Sequence, residues 1–442
     1  MRTRATRRPA RRFPLQLVLG SWACVCLAAT APTAAAEAYI EPEEAARLGL
    51  EVGWRTQAVV DAYQRRMVDW RLAGDRLYAT SSSGTVTAID AVTGAELWVS
   101  NNGRANLVTS GVGTNGDVVA MVNGSRLYVL DAGDGHVRWQ RDLDGIPIGA
   151  PAVTDKQVFV ALVTGLVEGY DLAAPRATPW FYQSSGSIYA DAQLLGGVVA
   201  WPNDLGAVYV ADAEQARVKF RLATDGEVRA APSGRDNYLY IASTDHNVYC
   251  MEEDRRRLVW DYATGYPIEE RPAVINDRVY VASREPRLHA LRAKDANPVW
   301  TAEGVSRFAA VGGEFVYGLT NESQLVALTK DGGVPVAGLP LDREQTCLPN
   351  DKTDRLYVVN EDGYVQCLHP AGASTPTYYA EQPVAADEEA VQPFVDEPAD
   401  RPQDEPLDQP DENPFRADQV PADEPDDAGA EENPFGTFDP FE

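Results

Sequence analysis

A repeat of about 40 residues runs through the middle of the chain and restricts its fold more than any other feature. Eight short apolar runs begin 41, 40, 40, 41, 40, 37 and 40 residues apart. They start at Leu77, Val118, Val158, Val198, Leu239, Val279, Val316 and Leu356. Short β-rich runs at this period are typical of propeller blades. The sequence therefore predicts an all-β fold, an eight-bladed β-propeller with four-stranded blades.

Turn residues and prolines predict the strands within each repeat. Ser83-Gly84 and Asn123-Gly124 follow the first run of their units, and such pairs favour tight hairpins because glycine accepts a positive φ. Seven residues before the runs stand Pro151, Pro232, Pro272 and Pro349, with Gly111, Asp191 and Ala309 at matching positions. Because proline has no amide hydrogen, it is tolerated only at a strand edge. This register predicts the innermost strands, which line the central channel.

One aromatic residue recurs near the end of most repeats. The spacings are 41, 41, 40, 40 and 40 residues between Trp98, Trp139, Trp180, Phe220, Trp260 and Trp300. A large flat ring at one position per blade predicts a structural wedge between neighbouring sheets, with an indole N–H that reaches a local carbonyl. A stacking platform for a ligand is the alternative interpretation.

The two ends of the repeat region predict how the ring closes. The eighth unit ends near residues 369–372 without its aromatic outer strand. Residues 49–54 match that missing strand, and Trp54 lies 44 residues before Trp98 as its structural counterpart. The start of the chain is therefore expected to complete the last blade, because this removes the open edge of a linear array.

The first two repeats resemble a known family. Residues 77–98 read LYATSSSGTVTAIDAVTGAELW, and residues 131–139 read DAGDGHVRW. They resemble the pyrroloquinoline-quinone-like (PQQ-like) propeller repeat, and the resemblance covers roughly residues 49–373. Within that superfamily, the short blades and the exported start are similar to the BamB family, which is non-enzymatic. The resemblance implies a monomeric protein-binding scaffold in the bacterial envelope, with no catalytic, cofactor-binding or metal-binding residue and no cofactor.

Two other functions remain open on the sequence. A carbohydrate- or peptide-binding propeller would use the mouth of the channel. A PQQ-dependent dehydrogenase would resemble the chain in blade number, but those enzymes have a disulfide between adjacent cysteines and acidic ligands for calcium. No Cys-Cys pair occurs in this chain, and the lone channel carboxylate of Asp191 is interpreted as solvated. The enzyme is the less favoured alternative.

The first 36 residues predict a signal peptide. They hold six arginines and no acidic residue, an apolar run over residues 15–31, and three alanines at residues 34–36 as a cleavage site. We expect an exported protein, periplasmic or associated with the outer membrane, with a lead segment at residues 37–48 and no transmembrane span after cleavage. The residues before Cys24 and Cys26 do not match a lipobox, which leaves lipidation open.

The cysteines that follow the predicted signal peptide point to no redox or metal chemistry. Cys250, Cys347 and Cys367 are an odd number without a CxxC motif. We expect them to be small buried hydrophobic residues.

The net charge of −27 is concentrated at the carboxyl end of the chain. Residues 380–442 contain 21 acidic residues, two arginines and 11 prolines, so residues 376–442 are predicted to be a disordered tail after a propeller at residues 49–375. This acidity excludes nucleic acid as a partner, because phosphates need basic side chains. Pro-Phe recurs in the tail and predicts weak multivalent docking elements, with compositional drift as the alternative. The phenylalanines are Phe394, Phe415, Phe435 and Phe441.

Overall fold

Eight antiparallel sheets of four strands each follow one another along the described part of the chain. The computed structural model describes residues 39–60, 66–215 and 217–379. This part begins with one short helix, α1 (Pro42–Arg47), and then β1 (Leu50–Gln57). The eight sheets confirm the predicted eight-bladed propeller.

The strands of a blade are consecutive in the chain, from the innermost strand at the channel to the outermost. Blades 1 to 4 comprise β2 (Met67–Ala73), β3 (Arg76–Ser81), β4 (Thr85–Asp90) and β5 (Glu96–Asn101); β6 (Gly113–Thr114), β7 (Val118–Asn123), β8 (Arg126–Asp131) and β9 (Val137–Asp142); β10 (Ala152–Val153), β11 (Gln157–Ala161), β12 (Leu166–Asp171) and β13 (Trp180–Gln183); β14 (Gln193–Leu195), β15 (Val198–Pro202), β16 (Ala207–Asp212) and β17 (Val218–Ala223).

Blades 5 to 8 repeat this order, except that the fourth strand of blade 8 is β1. They comprise β18 (Ser233–Arg235), β19 (Tyr238–Ala242), β20 (Asn247–Glu252) and β21 (Arg257–Ala263); β22 (Ala273–Ile275), β23 (Arg278–Ser283), β24 (Arg287–Arg292) and β25 (Pro298–Glu303); β26 (Val305–Gly312), β27 (Phe315–Thr320), β28 (Gln324–Thr329) and β29 (Pro335–Pro340); β30 (Gln345–Cys347), β31 (Leu356–Asn360) and β32 (Tyr364–Pro370).

The burial of each strand follows its place in the blade. All six residues of β7 are buried, because neighbouring blades cover both faces of a second strand. None of the six residues of β9 is fully buried, and exposed residues predominate there. The apolar core is therefore a ring of clusters between adjacent blades, such as the one in which Ala161 of blade 3 lies with Trp201 of blade 4.

The start of the chain closes the ring, as predicted. Strand β1 pairs antiparallel with β32, from Leu50 opposite Pro370 to Gln57 opposite Tyr364. The side chain of Gln366 also accepts from Ile40 N and donates to Ile40 O, both at 2.8 Å. The seam between the two ends is thus held by a full strand pairing and by the segment before it.

A bulge in the outer strand recurs in seven of the eight described sheets. In blade 1 the register shifts between Ala88 and Ile89, so that Leu97 is an extra residue beside Trp98. The other shifts lie at the corresponding place in blades 2, 4, 5, 6, 7 and 8. A bulge re-aims the side chain next to it, so this irregularity accompanies the recurrent aromatic position.

Candidate functional site

Four of the recurrent tryptophans reach from one blade into the outer turn of the next. Their indole N–H groups donate to a backbone carbonyl there. The pairs are Trp54 to Ala91 at 3.1 Å, Trp98 to Ala132 at 2.8 Å, Trp260 to Ala293 at 2.8 Å and Trp300 to Lys330 at 2.9 Å. Gly135 has φ +75° in the turn opposite Trp98, and a Cβ there would lie 2.5 Å from the ring. The turn therefore needs glycine both for its backbone and for the close approach of the ring.

The other three aromatic residues contact the neighbouring blade in other ways. Trp139 packs against the apolar cluster shared with blade 3. The outer turn of that blade has Pro175 at the position of Gly135, and proline cannot adopt the positive φ of that glycine. Trp180 stacks on Tyr182, with ring centroids 6.3 Å apart, and Phe220 packs against the cluster of blades 4 and 5. All seven residues lie at contacts between blades.

A three-residue ionic cluster crosses the central channel. Arg71 on β2 places Nη2 2.6 Å from Oδ2 of Asp191, which lies in the loop before β14 on the other side of the ring. The Nε of Arg71 lies 3.7 Å from Oδ2 of Asp69. Asp191 also accepts from the N–H of Ala150 at 3.1 Å. We call Asp69, Arg71 and Asp191 the channel clasp.

Burial and neighbouring charges shift the pKa values of two members of the clasp, Asp69 and Arg71. Desolvation raises the pKa of Asp69, although Arg71 counteracts it. Burial alone would lower the pKa of Arg71, but the two carboxylates outweigh it and raise that pKa. A Cβ at Gly149 would collide with the Asp191 carboxylate, so glycine makes room for the clasp. The interpretation of Asp191 as a solvated lone carboxylate was wrong, since Arg71 binds it.

Two cavities lie in the channel. We define the upper face as the end that carries the loops between blades, and the lower face as the end with the turns between first and second strands. The smaller of the two has about 340 Å³, is lined by blades 1 to 3 and Asp191, and reaches Val108 and Ile146. The larger of the two has about 390 Å³, is lined by blades 1 and 4 to 8, and reaches Lys352. Arg71 and Asp191 border both cavities.

Most of the predicted channel register is where the sequence indicated. Gly111 and Asp191 border the smaller cavity, and Pro272 and Pro349 border the larger one. Ala309 instead is fully buried in the core, because β26 has a bulge between Phe308 and Ala310. Phe308 faces the cavity in its place.

The upper face carries large apolar side chains over blades 2 to 4. The exposed fractions are 86% for Val108, 69% for Ile146, 65% for Leu205 and 60% for Tyr189. Val108 and Ile146 border the same cavity, and a Cβ built on Gly186, three residues before Tyr189, would lie 2.8 Å from the side chain of Leu205. We call these four residues the upper apolar surface.

Over blades 5 and 6 the upper face carries charged side chains. Arg229 lies 2.7 Å from Glu227 and 2.8 Å from Glu269. Arg287 lies over the ring of Tyr266, with its Cζ 5.3 Å from the ring centroid. An apolar half and a charged half thus share this face.

No cluster for redox or metal chemistry is found in the described residues. Cys250, Cys347 and Cys367 are free and buried, which confirms the prediction for them. Burial raises the pKa of each thiol to about 12, so thiolate is scarce at neutral pH. Within residues 39–60, 66–215 and 217–379, no group of three His, Cys, Asp or Glu side chains could hold a metal ion.

Several predictions fall outside the described residues. The segment predicted as a signal peptide, with Cys24 and Cys26, lies there, and so do the tail phenylalanines Phe394, Phe415, Phe435 and Phe441. Residues 376–379, assigned to the tail by composition, pack on blades 7 and 8, where the Tyr379 hydroxyl donates to Val311 O at 2.6 Å. None of the helical segments in the described part of the chain is long and apolar enough to cross a bilayer.

Sequence reasoning missed Arg71, although a signal for it exists. Counting seven residues back from Leu77 places Trp70 in the channel register, and Arg71 follows it directly. The pairing with Asp191 spans 120 residues, so no local pattern indicates it.

Comparison with known proteins gives one family and two solved folds. The family model described as "Outer membrane protein assembly factor BamB" matches residues 82–194 and 245–366. The outer membrane protein assembly factor BamB of Yersinia pestis is 24% identical over 348 residues, which cover 75% of this chain and 80% of that protein. The crystal structure of BamB from Moraxella catarrhalis matches with a TM-score of 0.58 at 19% identity, over 72% of this chain and 98% of that one.

A designed protein has the same architecture. The computationally designed Ika8 protein matches with a TM-score of 0.57 at 13% identity, over 70% of this chain and 98% of its own. Identities this low show a shared fold and nothing about activity.

Proposed function

The chain belongs to the family of the outer membrane protein assembly factor BamB, and from this premise we propose that it is an exported, non-catalytic scaffold. It binds a protein partner that takes part in outer membrane protein assembly. It resides in the periplasm or at the outer membrane and acts as a monomer without a cofactor.

The upper apolar surface is the observation that carries this proposal. Exposed apolar patches on a soluble protein mark interaction sites, because each uncovered side chain forfeits the free energy of burial. Val108, Ile146, Tyr189 and Leu205 are together on one face, at more than half exposure each. They offer a protein partner the apolar centre of an interface.

The charged half of the upper face supplies the rim of that interface. Glu227, Arg229 and Glu269 form an exposed ion-pair chain beside the apolar half. Charged rims fix orientation and exclude wrong partners rather than adding much affinity. The partner surface therefore combines apolar side chains with a mixed-charge border.

The seven aromatic residues keep this surface rigid. Each lies between two blades, and four of them also bond to the next blade. We assign them to blade docking and not to ligand stacking, since Trp98, Trp260 and Trp300 are buried and the other four rings pack against clusters shared by two blades.

A substitution on the upper face tests the proposal. Val108→Glu places a charge in the apolar centre, and a partner that buries Val108 should bind at least about tenfold more weakly. The matched control is Val336→Glu on the outer strand β29, where the side chain is 52% exposed but lies away from the upper face. The measurement is the recovery of envelope proteins crosslinked to the full chain, quantified by mass spectrometry.

The outcomes separate the scaffold from its alternatives. Loss of outer-membrane assembly proteins with Val108→Glu, but not with Val336→Glu, supports the proposal. Equal recovery with both variants contradicts it. Incubation with PQQ and Ca²⁺ is a separate test, because dye reduction with alcohols or sugars would show a dehydrogenase instead.

A further inference from the structure

The last described residues of the chain lie along the lower face at blades 7 and 8. Residues 373–379 follow the strands of blade 8 and pack on the turn between its first and second strands, residues 350–355. We call residues 373–379 the strap and residues 350–355 the blade 8 turn. The strap is not one of the four strands of blade 8, which are β30, β31, β32 and β1. It is therefore held by its own contacts and not by the sheet of a blade.

The strap pairs with the blade 8 turn through its backbone, as an added strand does. Tyr379 N donates to Lys352 O at 2.9 Å, and Asp354 N donates to Thr377 O at 3.1 Å. An isolated antiparallel bridge lies between these two bonds. Addition of an extended segment to a backbone edge is a common mode of peptide recognition, in which backbone bonds give affinity and side chains give specificity. The strap is thus bound in the manner of a peptide ligand.

Two further contacts define what this site accepts. The Tyr379 hydroxyl donates to Val311 O in blade 7 at 2.6 Å, and the ring packs against the apolar cluster of blades 6 and 7. The Asp354 carboxylate accepts from Thr377 N at 3.0 Å. Tyr378, between the two strap residues, is 54% exposed. The site therefore fits a tyrosine and, two residues before it, a residue with a backbone N–H, which excludes proline.

Asn350 holds the blade 8 turn in shape without help from the strap. Its side chain accepts from Lys352 N at 2.9 Å and from Thr353 N at 3.0 Å, and donates to Arg355 O at 2.7 Å. Its own N–H donates to Ala309 O in blade 7 at 2.7 Å. A site that is ordered before its ligand arrives loses less conformational entropy on binding. The turn is thus a preformed site that persists when the strap leaves.

The strap itself is held by few groups. Its exposed residues include Ser374, Thr375 and Tyr378, while Tyr379 supplies its contact with the apolar core. A segment with few buried apolar contacts opens at a lower free energy than the core strands do. We therefore expect the strap to leave the turn while the blades stay folded.

We propose that the blade 8 turn and Val311 form a peptide-binding site for an extended segment with a tyrosine, and that the strap occupies this site in the free chain. A partner segment of the same pattern binds when the strap leaves, so the strap is an autoinhibitory ligand. This site is additional to the proposed scaffold function, because it lies on the lower face and shares no residue with the upper apolar surface.

The test uses the full chain with its strap opened by two substitutions. Thr377→Pro removes the N–H that Asp354 accepts, and Tyr379→Ala removes the ring and the hydroxyl. Tyr378→Ala is the matched control, because that side chain is exposed. The probe is a fluorescein-labelled peptide that copies residues 371–379, and its binding is measured by fluorescence anisotropy.

We expect the peptide to bind the double variant with a Kd below about 1 mM. The parent chain and Tyr378→Ala should bind it at least about tenfold more weakly, because the strap competes at a high effective concentration. Tyr379→Phe in the peptide should weaken binding about three- to tenfold through the lost hydroxyl bond, whereas Tyr378→Phe in the peptide should have no effect. Bound peptide should also slow hydrogen exchange in residues 350–355 of the double variant.

Three results would overturn the proposal. One is that the peptide does not bind the double variant at about 1 mM. Another is that the parent and the double variant bind it equally, or that residues 350–355 gain no protection. The third is that the double variant loses protection throughout its blades, which would make the strap part of the fold and not a ligand. Each of these leaves the outcome of Val108→Glu unaffected, so the two proposals fail separately.

Discussion

Truncation of Leu50 at the seam should destabilise the whole propeller. Leu50 is only 1% exposed and packs in a cluster with Leu368 of blade 8 and Tyr317 of blade 7. Large-to-small changes at such sites cost about 2–5 kcal/mol, against a total stability of about 5–15 kcal/mol. Leu50→Ala should therefore remove a large part of the stability of the ring, with about 3 kcal/mol as the central expectation.

Urea unfolding followed by tryptophan fluorescence measures this effect. For a slope of about 3 kcal/mol per molar, a loss of about 3 kcal/mol lowers the midpoint by about 1 M. Leu97→Ala is the matched control, because Leu97 occupies the equivalent outer strand of blade 1 but is 43% exposed. Its change should remain within about 0.5 kcal/mol.

Deletion of residues 46–58 extends the same reasoning. It removes Leu48 and Leu50, both almost fully buried, and leaves β32 with an unpaired edge. We expect gross loss of folded protein in solubility and limited-proteolysis assays. A truncated chain that melts like the parent, or a Leu50→Ala midpoint equal to that of Leu97→Ala, would refute the role of β1 in closure.

Four further perturbations test other parts of the molecule. Trp98→Phe should cost about 1–3 kcal/mol in urea unfolding, because it leaves a carbonyl of the next blade without its donor. Arg71→Met should cost about 1–3 kcal/mol at pH 7, and much less in combination with Asp191→Asn, because the single change leaves a carboxylate unpaired. Burial lowers the pKa of His289 from 6.5 to about 4. As the pH falls below 6.5 the unfolded chain binds a proton at His289 and the folded chain does not, so the free energy of unfolding should fall by up to about 3 kcal/mol by pH 4. His289→Gln should flatten this part of the pH profile. The four tail phenylalanines, when replaced by serine, should no longer retain partners in pull-downs, and unchanged partners would count against docking. The positions are Phe394, Phe415, Phe435 and Phe441.

The blade architecture could be predicted because each blade repeats the same local sequence pattern. Turn glycines, apolar second strands and the aromatic position recur at one period. An ambiguous strand assignment in one repeat is therefore resolved by the matching positions of the other repeats. Closure by β1 was also predictable, since a missing strand at one end matched a surplus strand at the other.

The channel clasp could not be predicted in the same way. Arg71 and Asp191 belong to blades 1 and 4, and their contact depends on the width of the ring and not on the chemistry of either repeat. The burial of Ala309 escaped prediction for a similar reason, because a bulge in β26 shifts the register by one residue within a single blade. An irregularity that occurs in one blade does not recur along the sequence, so the repeat pattern cannot indicate it.

The backbone of the upper face explains how binding chemistry can vary while the fold stays constant. The carbonyls of Val108, Ile146 and Glu227 each accept a hydrogen bond from the second hairpin turn of the following blade, at 2.7, 2.9 and 2.9 Å. Only backbone atoms form these bonds, so the side chain at this position is free to be apolar in blades 2 and 3 and acidic in blade 5. A substitution there changes the partner surface at little cost in stability, because the loop geometry is set by atoms that every residue has. The Val108→Glu variant uses this separation: it should alter binding while the free energy of unfolding in urea stays within about 0.5 kcal/mol of the parent, and a larger loss would mean that the side chain itself supports the fold.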